Sequence, residues 1–453
     1  MIVMMKAPRA VLSLFQRNDL LDLAECLSYL ENFSDEQYCP ITVDTPMKHS
    51  QYNIVKSCSK TCIIYNTLFN SMITLSEAEY QQYQEIQFSE LNLVEALADE
   101  GFLLPHFVDE YHYYAYYQEI LKNTYDAVAH YTVALTSKCN ARCIYCYEEG
   151  IPQFDMSEET ADRLAEVLCS SEKPISITWF GGEPLLKTDL IERITSTLKD
   201  NHKSFQAEMI TNGSLLSDDI IAKFSDWNMQ WIQISIDGME EEYLRRKCYY
   251  DVQAGIFDKL VENIGKLIDH EIYVDIRLNM DQKNADDCIK AAEYFHSKYP
   301  DSPYLNVYPA FLSGMKCDKA IPAERASHFQ KVYDLYPPQQ SLLTSIPKIN
   351  ACFYSQAQAF VIDTDGSILC CDRDVGKQKT KMSTVYEISS FEALDKPACL
   401  IPAVREHCKR CVYYPKCGGG CRAAYESFCD CDACFMDRYQ VEYLLNHIIN
   451  CLK

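Results

Sequence analysis

The chain has 453 residues, 48 % of them hydrophobic, and a formal net charge of −23. That length predicts two or three domains, and that apolar content excludes wholesale disorder. The charge argues against a nucleic-acid partner, because phosphate binding needs clustered Lys and Arg, and leaves a basic peptide or a small protein donor as possible partners.

The start, Met1 to Phe15, is interrupted by Lys6 and Arg9, and no small-residue cleavage site follows. No apolar run is long enough to span a bilayer. The expectation is a cytoplasmic protein with no membrane partner. In that setting 23 cysteines point to metal rather than to disulfides. Cys26, Cys169, Cys248, Cys288 and Cys399 are scattered and read as small buried hydrophobes.

Residues 10–31 carry Leu20, Leu23, Leu27 and Leu30 on one helical face. Short strands are predicted at Tyr52–Val55, Cys62–Tyr65 and Met72–Leu75, with a turn from Asn66 to Ser71. Ser76-Glu77-Ala78-Glu79 is a capping box that opens a helix to about Ile86. A second helix runs from about Ser89 to Glu100 and stops at Gly101, and Phe102–Leu104 is a strand candidate.

From Tyr131 to about Phe311 strand and helix patterns alternate. Strands are expected at Tyr131–Leu135, Ile175–Phe180, Ala207–Ile210, Trp231–Ile236, Tyr273–Leu278 and Leu305–Tyr308. Helices are expected at Glu158–Leu168, Asp189–Leu198, Gly255–Ile268 and Ala285–His296. This is the pattern of a parallel sheet, and six units make an open, partial (β/α)6 barrel rather than a closed one. Functional residues are then expected at the C-terminal ends of the strands. The segment from Cys352 to Cys434 is dense in cysteine and poor in periodicity, as expected of a part held together by metal.

Three motifs carry chemistry. Cys139-Asn-Ala-Arg-Cys143-Ile-Tyr-Cys146 follows the first barrel strand. Three such thiolates can hold three irons of a [4Fe–4S] cube and leave the fourth open. Spacing alone also admits a zinc ion with a distant fourth ligand. Trp179-Phe180-Gly181-Gly182-Glu183-Pro184 ends the second strand; its glycines permit close backbone approach, and Glu183 offers an acceptor to a ligand ammonium. Cys408-x2-Cys411-x5-Cys417-x3-Cys421 closes the set, with Cys352, Cys370 and Cys371 before it and Cys429, Cys431 and Cys434 after it. One CxxC pair alone would read as a zinc ribbon.

The cysteine loop, with Tyr145 before its last cysteine, resembles the radical S-adenosylmethionine (SAM) superfamily signature. The resemblance implies that the open iron binds S-adenosylmethionine, whose reductive cleavage gives a 5′-deoxyadenosyl radical that takes hydrogen from a substrate. It implies contacts to the cofactor from Tyr145, Gly181, Gly182, Glu183, Asn212, Ser235, Asp237 and Arg277, although Arg277 equally suits a buried ion pair. It also implies an electron donor of flavodoxin or ferredoxin type.

The C-terminal array resembles the SPASM extension, which implies two auxiliary [4Fe–4S] clusters. Cys352, Cys371 and Cys421 would serve the first, and Cys408, Cys411, Cys417 and Cys434 the second. Fully ligated members carry one more cysteine soon after the first; Phe353 to Asp365 contains none, so the first cluster has an open iron unless Cys370 fills it. Asp372 stands where related anaerobic sulfatase-maturating enzymes keep a catalytic base; it also suits a turn.

Residues 50–110 resemble the winged-helix-like peptide-recognition domain of ribosomal-peptide maturases, which implies a precursor peptide whose leader adds a strand to a sheet edge. The expected organisation is therefore an N-terminal helical extension (1–49), that recognition domain (50–110), the radical SAM partial barrel (125–315) and a cysteine-rich SPASM domain (345–453). The leading expectation is a peptide maturase that installs a crosslink such as a cysteine thioether. The alternatives are a formylglycine-forming sulfatase-type maturase and a non-catalytic metal-binding scaffold.

Overall fold

The computed structural model describes residues 45–451, apart from 59–60, 107, 112–113, 116–127, 252–253, 313–321, 340, 345–355, 357, 397–403 and 421–435. The helix expected at 10–31 lies outside the described residues.

Near the N-terminus, strands β2 (Asn53–Cys58), β3 (Thr61–Asn66) and β4 (Met72–Ser76) form an antiparallel sheet in the order β2-β3-β4. The Asn66–Ser71 turn is closed by Asn66 N–H donating to Ser71 O at 2.9 Å. Ser76 caps helix α1 (Glu77–Glu85) through a capping box with Glu79, as its spacing predicts. Helix α2 (Leu91–Asp99) follows, and Leu97, Ala98 and Phe102 pack with Ile64 and Leu75.

Strand β5 (Leu103–Pro105) does not join that sheet. It pairs antiparallel with β1 (Met47–His49), so the unit begins before residue 50. The sequence pattern of β1 is too short to be recognised without its partner.

The main sheet has nine strands. β6 (Ala129–Thr136), β7 (Ile175–Gly181), β8 (Phe205–Thr211), β9 (Met229–Ile236), β10 (Tyr273–Met280) and β11 (Leu305–Phe311) are parallel and adjacent in chain order. Helices α3 (Glu158–Cys169), α4 (Thr188–Asp200), α5 (Asp218–Ala222), α6 (Glu240–Lys247), α7 (Ile256–Asp269) and α8 (Ala285–Lys298) lie between them in sequence. Five apolar residues of α7, Phe257, Leu260, Val261, Ile264 and Leu267, recur at three- and four-residue steps and are buried in the main core with Ile232, Ile234 and Ile236 of β9. The other face of the strands is mixed, with Glu208, Gln233, Arg277 and Tyr308 at alternating positions and Ala134, Phe180 and Ile210 in a small apolar cluster. That face lies opposite the one on which α7 packs.

The sheet does not stop at β6. Strand β12 (Ala359–Ile362) pairs parallel to β6, and β13 (Ser367–Leu369) and β14 (Lys381–Thr384) extend it as an antiparallel hairpin. The segment read as lacking periodicity thus contributes three strands, whose runs are too short to register as a pattern. Helices α9 (Pro322–Leu335), α10 (Ser341–Thr344), α11 (Glu406–Lys409), α12 (Tyr414–Cys417) and α13 (Met436–Cys451) complete the chain. The N-terminal sheet rests on this last part. Ile54 and Tyr65 pack with Leu343, Val441 and Leu445, and Tyr65 Oη donates to Leu343 O at 2.8 Å. Among the described residues, no helix is long and apolar enough to cross a membrane.

Candidate active site

The cysteine loop leaves the C-terminal end of β6 and is held on two sides. On one side is the Gly181-Gly182 turn at the end of β7. Gly182 N–H donates to Thr136 O at 2.9 Å, and Glu183 N–H to Lys138 O at 3.0 Å. A Cβ on Gly182 would lie 2.4 Å from Lys138 O, and one on Gly181, where φ is +124°, 2.2 Å from Thr136 O. The close approach that the glycines permit is therefore to the loop's own backbone. On the other side are residues 246–250. Arg142 N–H reaches Lys247 O, Ile144 N–H reaches Arg246 O, and Tyr250 N–H reaches Asn140 O, at 3.0 to 3.1 Å.

Cys139, Cys143 and Cys146 are free and half-buried on this clamped loop. Burial pushes the Cys139 thiol up to about 12, with neighbouring Glu183, Cys143 and Cys146 adding to it. Burial also raises Cys143 and Cys146. Thiols so placed ionise only against a positive partner, and three of them on one short loop fit the donor set of a [4Fe–4S] cluster. Among the described residues no three His, Cys, Asp or Glu side chains form a site for a single metal ion. A cube-shaped cluster asks for a different arrangement, with each thiolate on its own iron.

Glu183 is fully buried. Its carboxylate accepts from Thr211 Oγ1 at 2.6 Å, Asn212 N at 2.9 Å and Leu185 N at 3.1 Å, and burial raises its pKa against these bonds. It thereby ties the end of β7 to the end of β8. Asn212 carries the tie onward, donating from Nδ2 to Asn140 Oδ1 at 2.8 Å within the cysteine loop.

Tyr145, Ser235 and Asp237 meet at a residue that the sequence pattern did not single out. Lys247, at the end of α6 and 1 % exposed, donates to Ser235 Oγ at 2.6 Å and Tyr145 Oη at 3.1 Å and lies 3.2 Å from Asp237 Oδ2. Burial opposes its charge, but Asp237, Tyr145 and Cys143 outweigh burial and hold it protonated. Buried Arg246 beside it binds Asp281 at 2.8 Å, with its guanidinium 5.5 Å from the Tyr145 ring centre. An Arg-Arg-Lys run at 245–247 reads as a solvated helix face; only its position after Ser235-Ile236-Asp237-Gly238 hinted otherwise. Asn279 Nδ2 also donates to Tyr145 Oη at 3.1 Å.

Arg277 neighbours Ser235 in the sheet register, and its Nε is buried with no hydrogen-bond partner and no ion pair of the kind weighed for it among the described residues. Its charge and that of Asp372 both act on buried Tyr147, in opposite directions. Asp372 follows β13 in a short 3-10 turn with Oδ1 3.4 Å from Cys371 Sγ. Near it Glu148 is pushed up to about 7, first by burial, and its Oε1 has no hydrogen-bond partner among the described residues.

Cys370 and Cys371 are both buried, and Cys370 Sγ lies 3.2 Å from Met382 Sδ, toward β14. Cys408 and Cys411 pack beside Tyr52, Leu68 and Tyr114 of the N-terminal part. Cys417 is followed by Gly418, Gly419 and Gly420, all with positive φ. Cys352, Cys421, Cys429, Cys431 and Cys434 lie outside the described residues, so the two auxiliary ligand sets are not brought together here.

Residues 133–295 match the Radical SAM superfamily model. An uncharacterized protein of Methanocaldococcus jannaschii is 35 % identical over 117 residues, covering 25 % of this chain and 41 % of that one. A cysteine-type anaerobic sulfatase-maturating enzyme of Clostridium perfringens is 25 % identical over 360 residues, covering 70 % of this chain and 95 % of that one. The solved structure of anSMEcpe with bound AdoMet aligns with a TM-score of 0.58 at 20 % identity, over 71 % of this chain and 98 % of that one. The chain spans less than half the length of the relatives it matches at 31–35 % identity. The resemblance read from the cysteine loop is thus shown.

Proposed function

We propose that this enzyme, built around a radical SAM domain, is a peptide maturase: it binds S-adenosylmethionine at the Cys139–Cys146 loop and modifies a precursor peptide in the open barrel. Cys139, Cys143 and Cys146 would hold a [4Fe–4S] cluster that, with one electron from an external donor, would supply reductive cleavage of S-adenosylmethionine to methionine and a 5′-deoxyadenosyl radical able to take hydrogen from the peptide. The observation that carries this reading is the convergence of Lys247, Ser235 and Tyr145 beside that loop. Lys247, kept protonated, would serve the ligand carboxylate by exchanging its bond to Ser235 or Tyr145 for it, and Ser235 and Asp237 would serve the ribose hydroxyls.

The product we favour is a cysteine thioether. The N-terminal sheet supports a peptide leader, because β4 is an edge strand with Met72 and Thr74 exposed, the kind of edge that accepts an added strand. The first auxiliary cluster would use Cys371, and Cys370, turned toward Met382, is a poor fourth ligand. An open iron there would receive the substrate thiolate. Formylglycine formation is the second reading. It is favoured by Asp372 beside Tyr147 and Glu148, and by the sulfatase-maturating relative that this chain covers almost completely.

A cysteine-containing precursor peptide, incubated with reconstituted protein, S-adenosylmethionine and a low-potential reductant, separates the two by mass. Loss of two hydrogens with a blocked thiol means a thioether, and an aldehyde means formylglycine. Production of 5′-deoxyadenosine with no peptide change, across a set of peptides encoded beside this gene, would sink the peptide reading.

A further inference from the structure

A cavity of about 560 Å³ lies away from the cysteine loop. Tyr273 opens β10 and Leu305 and Asn306 open β11, so the cavity sits at the N-terminal ends of the parallel strands. The cysteine loop leaves the C-terminal end of β6. The cavity is completed by Tyr336–Gln339 after α9 and by Gln440 of α13, beside β11 at the edge of the sheet.

Its lining has a marked chemistry. Five of sixteen residues are tyrosines: Tyr273, Tyr299, Tyr308, Tyr333 and Tyr336. None is Lys or Arg, and one, Asp301, is acidic. Tyr299 Oη donates to Val261 O and Tyr308 Oη to Gln233 Oε1, each at 2.5 Å, so these two rings are fixed by their hydroxyls. His296 meets the Tyr336 ring edge-on at 5.5 Å.

A second observation concerns charge. Asp275 stands behind the cavity wall and accepts from Asn306 Nδ2 at 2.7 Å and Trp231 Nε1 at 2.8 Å. Both partners are neutral, and among the described residues it forms no ion pair. Tyrosine rings present negative faces that attract cations, most strongly where water is excluded. Several rings and Asp301 in the lining, with Asp275 behind it, favour a cation over a neutral group even with the buried Arg277 guanidinium near Tyr308, and the net charge of −23 draws cations toward the protein.

We propose that this cavity binds an organic cation, a guanidinium or alkylammonium group. The group comes either from a basic side chain of a peptide or from a free amine. A volume of about 560 Å³ accommodates either. The site does not depend on the maturase reading, since none of its residues contacts the cysteine loop.

The test uses the full chain and two matched pairs of probes: a capped Gly-Arg-Gly tripeptide against its citrulline analogue, and choline against 3,3-dimethylbutanol. Each pair keeps shape and removes charge. Calorimetric titration should give at least one cation that binds about tenfold or more tighter than its neutral partner, equivalent to about 1.4 kcal/mol. A stronger preference in the tripeptide pair assigns the site to a basic side chain, and one in the choline pair to a free amine. Tyr336→Leu should weaken that binding about threefold or more, and Tyr336→Phe, which keeps the ring, should retain it. Asp275→Asn should weaken it without affecting the neutral probe. Equal binding of charged and neutral probes, binding by neither cation, or unchanged affinity in Tyr336→Leu would overturn the proposal.

Discussion

Substituting Gly182 by alanine adds one methyl group where the turn after β7 meets the cysteine loop. The new Cβ would stand 2.4 Å from Lys138 O, 2.7 Å from Lys138 C and 2.9 Å from Ser137 O, all backbone atoms that no rotamer change can move aside. Relief needs a shift of roughly 1 Å, the deficit against ordinary carbon–oxygen contact. That shift stretches the hydrogen bonds of Gly182 to Thr136 and of Glu183 to Lys138, each worth about 0.5–1.5 kcal/mol. Overpacking adds about 1–3 kcal/mol. The combined local cost is then about 2–6 kcal/mol, concentrated on the entry to the loop. Gly150 is the control, because it lies four residues past Cys146 with φ +83° and nothing within 4 Å of its Cβ position; Gly150→Ala costs only about 1–2 kcal/mol of left-handed strain. Iron per chain after anaerobic reconstitution, with thermal unfolding of the metal-free protein, reads both effects. Gly182→Ala should lose most of the iron of one cluster and melt lower than Gly150→Ala, which should retain its iron. Equal iron retention in the two variants would refute the reasoning that the Gly-Gly turn braces the loop.

Three further outcomes follow from the same geometry. Lys247→Met leaves Asp237 buried with only Arg246 Nε at 3.9 Å; breaking such a pair costs about 3–5 kcal/mol, seen as earlier denaturant unfolding. If Lys247 holds the ligand carboxylate, equilibrium dialysis should also show S-adenosylmethionine binding weakened about tenfold or more, in line with about 1.5–3 kcal/mol for a charged hydrogen bond. Glu110, which holds Ser50 and accepts from Gln51 N at 2.8 Å, has its pKa raised, first by burial; its stabilising contribution is full below its unfolded pKa and is lost as pH rises through the folded value. Denaturant melts of wild type against Glu110→Gln should therefore converge or cross as pH rises from 4 toward 8, and a gap that widens in favour of wild type would contradict this.

Much of the barrel was legible because its signals are local. Ile232, Ile234 and Ile236 alternate with Gln233 and Ser235, and α7 repeats its apolar residues at helical spacing, so strand and helix are written in consecutive residues. The cysteine loop was legible for the same reason. Strands β12–β14 were not, because three- and four-residue runs such as Ser367–Leu369 gain identity only by pairing with a distant strand. Lys247 was missed because a basic run at a helix end is normally solvated, and what buries it is the return of residues 246–250 onto the cysteine loop. The roles of Gly182 and Glu183 in bracing the chain itself were also hidden, since the residue types that suit a ligand equally suit a tight backbone contact.

Cys139, Cys143 and Cys146 are proposed to hold the cluster that cleaves S-adenosylmethionine. The most direct test is 5′-deoxyadenosine formation by anaerobically reconstituted wild type and Cys139→Ala, assayed with S-adenosylmethionine and dithionite and with iron measured on the same samples. 5′-Deoxyadenosine is expected from wild type and none from Cys139→Ala, which should lose about four irons, one cluster's worth, while keeping the remainder. Colourless protein that binds zinc and no iron, or undiminished 5′-deoxyadenosine from Cys139→Ala, would contradict that assignment.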